Sequence, residues 1–542
     1  MQLFRTVAGL SCYLNKSGLG FSPKGQQVRG GQASASSVPS LGLVPTMGAL
    51  HAGHLSLIKQ ARQENDVVIV SIFVNPLQFG PTEDLLQYPH DFEQDQQRCE
   101  QVGVDAIFAP TAAELYGDAH LPPGECGLTR VIPPKSMVSV LCGQSRSGHF
   151  QGVCTVVTKL LHLVKPDRAY FGQKDAQQLA IIRRLVEDLN FPVEIVACPT
   201  VREVDGLACS SRNRYLTEDQ RQQASVLYRS LKQAEQGFRQ GQCLKQDLMA
   251  VVQSELKRVP SVQVEYVELV HPITLALIES VEETGLLAIA AHLGSTRLID
   301  NLLLLNRQPI VAIDGPAGAG KSTVARQVAQ VLGLFYLDTG AMYRAVTWLV
   351  LQSRIALQNQ PAIAELVSQC RIQLAASENT LSNPTSQLTR VWIDDQEVTT
   401  EIRSRVVTAH VSAIAAQPAV RQILVKQQQQ YGRKGGIVME GRDIGTYVFP
   451  DAELKIFLTA SVQERAQRRQ QDLKAQGQPE INFEDLEQSI RDRDQQDSTR
   501  ILAPLRKAID AIEIETDGLR VTEVVERIVT LYQQKCHQGS EL

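Results

Sequence analysis

The sequence of 542 residues predicts an α/β protein that consists of two successive α/β units. Two stretches carry this prediction. The run "LGLVPTMGALHAGHLSLIKQARQENDVVIVSIFV" has the pattern of an apolar strand, a glycine turn, an amphipathic helix and a second buried strand. The run "PIVAIDGPAGAGKSTVARQVA" (309–329) has the pattern of a strand, a glycine-rich loop and a helix. Because helices that alternate with buried strands cover a parallel sheet, we expect such a sheet in each half.

Composition excludes several classes of protein. A formal net charge of -4 leaves no basic footprint for a nucleic acid, so small molecules are the expected partners. The ten cysteines are scattered, with Cys198 and Cys209 the closest pair, which favours a reducing cytoplasm over a zinc site or a disulfide framework. The most apolar stretch, "DVVIVSIFV", is too short to cross a bilayer, and we expect neither a signal peptide nor a membrane segment.

The pattern along the chain predicts its domains. Residues 17–40 are rich in Gly, Ser and Pro, which is typical of a flexible loop. A second strand–loop–helix–strand set occupies "DRAYFGQKDAQQLAIIRRLVEDLNFPVEIVACPTVRE", and helices with short strands follow it. We predict a Rossmann-like part over about 1–206, a small α+β subdomain over 207–306 and a second unit over 307–542.

The glycine-rich loop matches the phosphate-binding pattern GxxxxGK[ST]. Gly315 and Gly320 let backbone N–H groups close around phosphate oxygens. Lys321 offers a cation to the β- and γ-phosphates, and the Ser322 hydroxyl is a ligand for Mg²⁺. Short patterns also occur by chance, but the preceding strand and the following amphipathic helix supply the context that this one requires.

Charged side chains follow the loop in three blocks: "YLDTGAMYRA" (336–345), "GRDIGTYVFPDAELKIFLTASVQERAQRR" (441–469) and "RDRDQQDSTR" (491–500). Transfer between two phosphates requires cations that neutralise clustered anionic oxygens, and arginines supply them. Any single arginine is also compatible with a solvated helix face. Together they favour phosphoryl transfer.

The loop and these blocks resemble the bacterial cytidylate kinase family over residues 309–535. The resemblance implies a P-loop nucleoside monophosphate kinase fold and phosphate transfer from ATP to CMP or dCMP with Mg²⁺. It implies ATP contacts at Gly315, Pro316, Ala317, Gly318, Ala319, Gly320, Lys321, Ser322 and Thr323. It implies CMP contacts at Thr339, Tyr343, Arg344, Ser412, Arg421, Glu440, Arg442, Arg493, Asp497 and Arg500, the last facing the phosphates.

Two further stretches of this half bear on the resemblance. The segment "VWIDDQEVTTEIRS" (391–404) looks like the family's insert beside the monophosphate site. Glu440 stands where the family usually has Asp. Three interpretations of Glu440 stay open: contact with the base, contact with Mg²⁺, or a tolerated variation.

In the first half, His51 and His54 lie three residues apart at the start of a predicted helix and therefore share one face. Gly53 permits close approach of an adenine ring or a phosphate. Two imidazoles beside the positive helix end can stabilise charge that builds on an α-phosphate. Structural histidines are commoner than catalytic ones, however, and a metal site would need a third ligand.

HxGH after a strand resembles the nucleotidyltransferase superfamily signature. Together with "SIFVNPLQF", "YFGQKDAQQLAIIRRL" and "GLACSSRNRYLT", it makes residues 1 to about 305 resemble the pantoate–β-alanine ligase family. The resemblance implies that ATP adenylates the pantoate carboxylate with release of pyrophosphate. The amine of β-alanine then attacks the adenylate and yields pantothenate and AMP. The resemblance also suggests a homodimer through this half.

The family's site residues carry over to matching positions of this sequence. ATP contacts are implied at Met47, Gly48, Ala49, Leu50, His51, Ala52, Gly53, His54, Gly172, Gln173, Lys174, Asp175, Val201, Cys209, Ser210, Ser211 and Arg212, with Asp175 facing Mg²⁺ or ribose. Pantoate and β-alanine contacts are implied at Asn75, Gln78 and Gln178. The resemblance implies a catalytic set of His54, His51, Lys174 and Arg212 here and Lys321 in the other half.

Three further features of the ligase-like half are a glycine-rich segment, a substitution at Cys209 and a long segment near the start of the chain. The glycine content of "GQSRSGHFQGV" (143–153) predicts a mobile lid with Arg146 as its gate. Cys209 replaces the family's usual Leu and is interpreted as a packing substitution. The segment 17–40 exceeds the family's short connection at that point.

Two other classes of protein share one motif each. A class I aminoacyl-tRNA synthetase carries an HxGH-like motif, but KMSKS is absent and a pI of about 6.2 implies no basic surface. A regulatory P-loop switch would need an NKxD guanine reader, which this chain lacks. The sequence therefore predicts a cytoplasmic bifunctional enzyme, without nucleic-acid or membrane partners.

Overall fold

The computed structural model describes residues 1–19, 39–80, 83–85, 87–117, 128–375, 389–475, 482–500 and 503–536. They form two compact units, Met1–Asn306 and Arg307–Leu542. The loop predicted over 17–40 falls mostly on residues 20–38, which lie outside the described residues. In the described segments, none of the helices combines the length and the apolarity that a bilayer span requires.

The first unit contains a parallel sheet of short, largely buried strands. They are β1 (Gln2–Phe4), β2 (Leu41–Thr46), β3 (Val67–Ile72), β4 (Ala106–Phe108), β5 (Arg168–Gly172) and β6 (Glu194–Cys198). Their order in the sheet is β1-β4-β3-β2-β5-β6. The chain thus leaves the central strand β2 for β3 on one side and later returns to β5 on the other. This reversal of direction creates a crevice at the carboxyl ends of the strands.

Helices cover both faces of this sheet. They are α1 (Val7–Lys16), α2 (Ala52–Glu64), α3 (Phe92–Gln101), α4 (Ala112–Tyr116), α5 (Lys135–Val138), α6 (Cys142–Ser145), α7 (His149–Val164) and α8 (Ala176–Asp188). Apolar side chains of α7 and α8, such as Leu160 and Ile181, pack on one face. Ile58 of α2 and Cys99 of α3 pack on the other. Burial on both faces explains why the strands are nearly continuous apolar runs in the sequence.

The rest of the first unit is a small α+β part. Its elements are α9 (Glu218–Ala224), α10 (Val226–Arg239), α11 (Lys245–Lys257), β7 (Val262–Val270), β8 (Thr284–Leu293) and β9 (Thr296–Leu305). The strands pair antiparallel in the order β7-β8-β9. Leu231, Leu248 and Ile289 belong to its separate core, and so does Leu207.

A second parallel sheet organises the other unit. Its strands are β10 (Ile310–Asp314), β11 (Phe335–Asp338), β15 (Ile437–Glu440), β16 (Leu454–Thr459) and β17 (Ile512–Glu515), in the order β11-β15-β10-β16-β17. A smaller antiparallel sheet contains β12 (Ile372–Ala375), β13 (Arg390–Ile393) and β14 (Gln396–Glu397). The insert-like segment 391–404 includes the β13–β14 hairpin. Asp394 and Asp395 have φ of 46° and 68°, as a two-residue hairpin turn requires.

The helices of the second unit also lie on both faces of its sheet. They are α12 (Lys321–Leu332), α13 (Thr339–Gln352), α14 (Gln360–Gln369), α15 (Arg405–Ala415), α16 (Pro418–Tyr431), α17 (Val462–Ala475), α18 (Phe483–Ser498) and α19 (Val521–Cys536). Val328 and Ile528 pack on one face, whereas Met342 and Leu424 pack on the other. Parallel sheets in both units confirm the predicted α/β fold class.

We expect residues 1–306 and 307–542, expressed separately, to fold and to keep their own activities. Asn306 donates hydrogen bonds to the carbonyls of Val281 and Glu282 in the first unit. Arg307 forms ion pairs with Asp451 and Glu453 in the second. A cut between Asn306 and Arg307 therefore breaks neither anchor. Circular dichroism and activity of both fragments check this, and a folded but inactive fragment would contradict independent units.

Candidate active sites

The predicted ligase residues lie where the parallel strands of the first sheet end. Residues 47–51 connect β2 to α2, residues 52–54 begin α2, and Asn75 and Gln78 follow β3. Gly172 ends β5 and residues 173–175 follow it, while Val201 and residues 209–212 come after β6. The fold therefore gathers these separated blocks at the crevice beside β2, the position expected for a nucleotide site in an open α/β sheet.

The two histidines are close neighbours at the start of α2. His51 is the N-cap residue, and its Nδ1 accepts the N–H of Gly53 at 3.1 Å. The ring centroids of His51 and His54 are 4.1 Å apart. A Cβ at position 53 would lie 2.9 Å from the His51 ring, so Gly53 makes room for this imidazole as well as for a ligand. His54 Nδ1 is buried and has no hydrogen-bond partner among the described residues.

Both imidazoles are neutral at neutral pH. Burial, then the neighbouring His54 and Lys174, lowers the pKa of His51 to about 3. Burial, followed by Lys174, lowers the pKa of His54 to about 4. Neutral imidazoles can sit beside the Lys174 ammonium without mutual repulsion, and their N–H groups remain available to phosphate oxygens.

These shifts predict that acid destabilises the first unit. Above pH 6.5 the two histidines are neutral in both states, so their full contribution to stability is present. As the pH falls below 6.5, both histidines become protonated in the unfolded chain. In the folded chain they stay neutral until the pH approaches their pKa values of about 3 and 4. Between pH 7.5 and 5 we expect a loss of about 2 kcal/mol per histidine. Urea unfolding of residues 1–306 measures it. An equal loss of unfolding free energy in a His51→Asn/His54→Gln variant would contradict the attribution of this loss to the two histidines.

The amides predicted to hold pantoate are already oriented by protein groups. Asn75 Nδ2 donates to Gln78 Oε1 at 3.1 Å and to the Gly152 carbonyl at 3.1 Å. Gln78 Nε2 donates to Met47 Sδ at 2.7 Å. A Cβ on Gly152 would lie 2.3 Å from the Leu77 carbonyl oxygen, so the glycine lets α7 approach this turn. Residues 149–153 of the predicted lid therefore form the packed first turn of α7, and the mobility of the lid with Arg146 as its gate stays a prediction.

A cavity in the first unit is lined by predicted residues from several blocks, among them Arg146, Lys174, Asp175, Gln178, Ser210 and Arg212. Two of its arginines are held by adjacent carboxylates that sequence reasoning missed. Arg212 binds Asp84 through Nε and Nη2 at 3.1 and 2.8 Å. Arg146 binds Glu83 in the same way at 2.9 and 2.5 Å. The consecutive acidic residues in "FGPTEDL" were a visible signal, but acidic side chains are not expected beside phosphates.

The phosphate loop of the second unit lies between β10 and α12. Gly315, Gly318 and Gly320 have φ of 148°, 82° and 80°, a region that favours glycine. A Cβ on Gly315 would be 2.1 Å from the Leu458 carbonyl oxygen, which explains this glycine. Lys321 Nζ is buried and donates to the Pro316 carbonyl at 2.7 Å. Burial and the nearby Arg442 hold the pKa of Lys321 well below its ordinary value.

The predicted CMP residues form two linked ion-pair groups. Arg442 Nε donates to Asp497 at 2.9 Å, and Arg500 donates to the other oxygen of the same carboxylate. Arg421, almost fully buried, pairs with Asp443. Its guanidinium carbon lies 5.4 Å from the centroid of the Tyr343 ring, a cation–π distance. Asp443 was absent from the predicted contacts, although it belongs to the "GRD" triplet.

The predicted CMP site contains more arginines than carboxylates that pair with them. Burial, then Arg442, lowers the pKa of Arg493 to about 10, and burial also lowers the pKa values of Arg344 and Arg500. Arg493 Nε is buried without a hydrogen-bond partner in the described part of the chain. Groups of this kind gain stability from a bound polyanion.

Glu440 lies below the phosphate loop at the end of β15. Its Oε2 accepts the hydroxyl of Ser322 at 2.8 Å, and its Oε1 accepts the hydroxyl of Tyr336. Its backbone carbonyl accepts the hydroxyl of Thr339 at 2.7 Å. Burial and the neighbouring Asp338 raise the pKa of Glu440. These contacts put the Glu440 carboxylate beside Ser322, the residue predicted to bind Mg²⁺.

Two predicted CMP residues lie on helices of the second unit. Arg344 on α13 donates to the Thr408 hydroxyl at 2.8 Å. Ser412 lies on α15 one turn beyond Thr408, on the same face. Arg465 on α17 was missed by sequence reasoning. It donates to the Ala317 carbonyl of the phosphate loop at 3.1 Å and pairs with Asp494.

Fold and sites define an enzyme class with a Rossmann-like HxGH unit followed by a P-loop kinase unit. The pantoate-beta-alanine ligase family model matches residues 24–303, and the cytidylate kinase family model matches residues 311–534. The chain belongs to the family of bifunctional pantoate ligase/cytidylate kinases, which confirms the resemblance inferred from the sequence.

Named relatives are similar over nearly the whole chain. The bifunctional pantoate ligase/cytidylate kinase of Trichormus variabilis is 62% identical over 542 residues, covering 99% of this chain and 100% of the relative. That of Synechocystis sp. is 56% identical over 537 residues, covering 98% and 99%. A solved pantothenate synthetase from Thermus thermophilus is 42% identical, covers 56% of this chain and 99% of that chain, and has a TM-score of 0.49.

Proposed function

We propose that this chain catalyses two ATP-dependent reactions at separate sites. The first unit condenses pantoate with β-alanine to pantothenate, and the second phosphorylates CMP or dCMP to the diphosphate. The observation that supports this most directly is that each unit gathers its own set of phosphate-facing groups. One set surrounds His51 and His54, and the other surrounds Lys321.

In the ligase reaction, a carboxylate oxygen of pantoate attacks the α-phosphorus of ATP and pyrophosphate leaves. The amine of β-alanine then attacks the acyl carbon, the bond to AMP breaks, and the amine loses a proton. Asn75, Gln78 and Gln178 are suited to hold pantoate by hydrogen bonds. The neutral His54 and His51, with Lys174 and Arg212, are suited to stabilise the charge on the phosphates. For Arg212, this requires the phosphates to replace Asp84 as its partner.

In the kinase reaction, a phosphate oxygen of CMP attacks the γ-phosphorus of ATP and ADP leaves. Lys321 and the arginines neutralise the oxygens of both nucleotides. The excess of cations with lowered pKa values fits this role. The hydroxyl of Ser322 and the carboxylate of Glu440 are oxygen groups suited to Mg²⁺, bound directly or through water. When bound, Mg²⁺ would neutralise charge on the β- and γ-phosphates.

The cellular compartment and the oligomeric state of the enzyme are also proposals. Free thiols are found at Cys12, Cys99, Cys142, Cys154, Cys198, Cys209, Cys243 and Cys370, in keeping with a reducing cytoplasm. A homodimer through the ligase unit is an expectation from the family, and analytical ultracentrifugation of the purified chain tests it through the molecular mass. Asp175 remains a proposed contact to Mg²⁺ or ribose.

One purified chain, assayed for both products, tests the function. ATP with pantoate and β-alanine is expected to yield pantothenate, AMP and pyrophosphate. ATP with CMP is expected to yield CDP and ADP. Because AMP marks one reaction and ADP the other, a single chromatographic separation distinguishes them. ADP formation without CMP, or AMP formation that requires tRNA, would contradict the proposal in favour of a P-loop switch or a tRNA synthetase.

A further inference from the structure

A buried carboxylate holds the loop that carries the two histidines. Asp95 on α3 is 2% exposed. Its Oδ2 accepts the N–H of Ala49 at 2.7 Å, and its Oδ1 accepts the N–H of Leu50 at 2.7 Å. The same carboxylate lies close to Gly48, where a Cβ would be 3.0 Å from Oδ2.

The loop needs this support because its backbone is unusual. Gly48 and Ala49 are consecutive left-handed residues, with φ of 82° and 49°. Residues other than glycine rarely adopt this conformation, and they keep it only where the surroundings enforce it. The turn presents the N–H groups of Ala49 and Leu50 to a single carboxylate, which satisfies both donors.

The carbonyl groups of the same turn are bound by other side chains. Arg98 donates to the Leu50 carbonyl, and the Ser211 hydroxyl donates to the Ala49 carbonyl at 3.3 Å. Asp95 and Arg98 are three residues apart and therefore lie on one face of α3. Cys99 of the same helix is buried in a core that includes Ile58 and Ile107, both outside the turn. The helix is thus anchored independently of the loop that it holds.

Three groups of the proposed adenylation site depend on where this turn lies. Met47 precedes it and contacts Gln78, while His51 and His54 follow it. We propose that Asp95 and Arg98 are positioning residues for adenylation: they hold the Gly48–Leu50 turn so that His51 and His54 meet the α-phosphate. This inference rests on the proposed ligase function. Neither residue contacts the reacting atoms in this scheme.

The test separates the two half-reactions in the full chain. Pantoate-dependent exchange of labelled pyrophosphate into ATP measures adenylation. Pantothenate formation from supplied pantoyl adenylate and β-alanine measures the second step. We expect Asp95→Asn to lower the exchange rate at saturating substrates by about 10–100-fold, since a small misplacement of catalytic groups is costly. The rates of the second step and of CMP phosphorylation should stay within a few-fold of those of the unaltered chain. In the second step charge builds at the acyl carbon, and CMP phosphorylation takes place in the other unit.

Asp91→Asn is the matched control. Asp91 is the exposed N-cap of the same helix, and its carboxylate accepts the N–H of Gln94 at 3.1 Å. We expect it to leave the ratio of the two half-reactions unchanged. If Asp95→Asn lowers exchange no more than Asp91→Asn, or lowers both half-reactions equally, the positioning role is wrong. If Asp95→Asn does not fold, Arg98→Gln is measured in its place, with the same expected ratio. Absence of exchange in the unaltered chain would instead contradict the ligase function.

Discussion

Replacing Lys321 by methionine is expected to lower CMP phosphorylation by about 10²–10³-fold or more and to leave pantothenate formation within a few-fold. The Lys321 ammonium is buried at the start of α12, in a loop whose glycines shape a phosphate cradle. Its partner here is the Pro316 carbonyl, and a phosphate oxygen would be a stronger one because it carries charge. Methionine fills similar space without the cation.

Lys455→Met is the matched control for this change. Lys455 is as buried as Lys321, each being 6% exposed, but it pairs with Asp510 away from the phosphate loop. It should therefore lose stability and keep most of its kinase activity. Both tryptophans of the chain, Trp348 and Trp392, lie in the second unit, so indole fluorescence reports the folding of that unit. Loss of pantothenate synthesis in folded Lys321→Met would mean that one loop serves both reactions.

His54→Ala is expected to lower pantothenate formation by about 10²–10³-fold, with CMP phosphorylation retained within a few-fold. The imidazole is neutral, and its Nδ1 is a buried polar atom without a partner among the described residues, as expected of a group that meets a ligand. Removing it takes away the donor that we propose for the α-phosphate. The loss should lie in the turnover number of the adenylation half-reaction.

His54→Gln distinguishes a lost donor from a lost shape. Its amide can still donate a hydrogen bond, so partial recovery relative to His54→Ala is expected in pyrophosphate exchange. Circular dichroism confirms that each variant is folded. Full activity of folded His54→Ala would remove His54 from the proposed catalytic set and leave His51 and Lys174 as the groups to test.

Local sequence was sufficient for much of this protein. The phosphate loop and the HxGH segment are each formed by consecutive residues, so glycine spacing and helix position can be inferred from the chain itself. The strand patterns placed their flanking residues at strand ends. The same reasoning could not foresee the first turn of α7, because its burial depends on Gly152 meeting the turn that contains Leu77, which is far away in the sequence.

The order of the elements, the α/β class and the chemical type of each loop thus follow from the chain alone. Which side chains meet was settled by the three-dimensional fold: Asp95 with the turn at Ala49, Arg212 with Asp84, and Glu440 with Ser322. Partners of this kind lie 46 to 128 residues apart along the chain. Their distance is set by strand order and helix packing, and a local pattern carries no information about either. Buried charges nonetheless require such partners, and the fold supplies them.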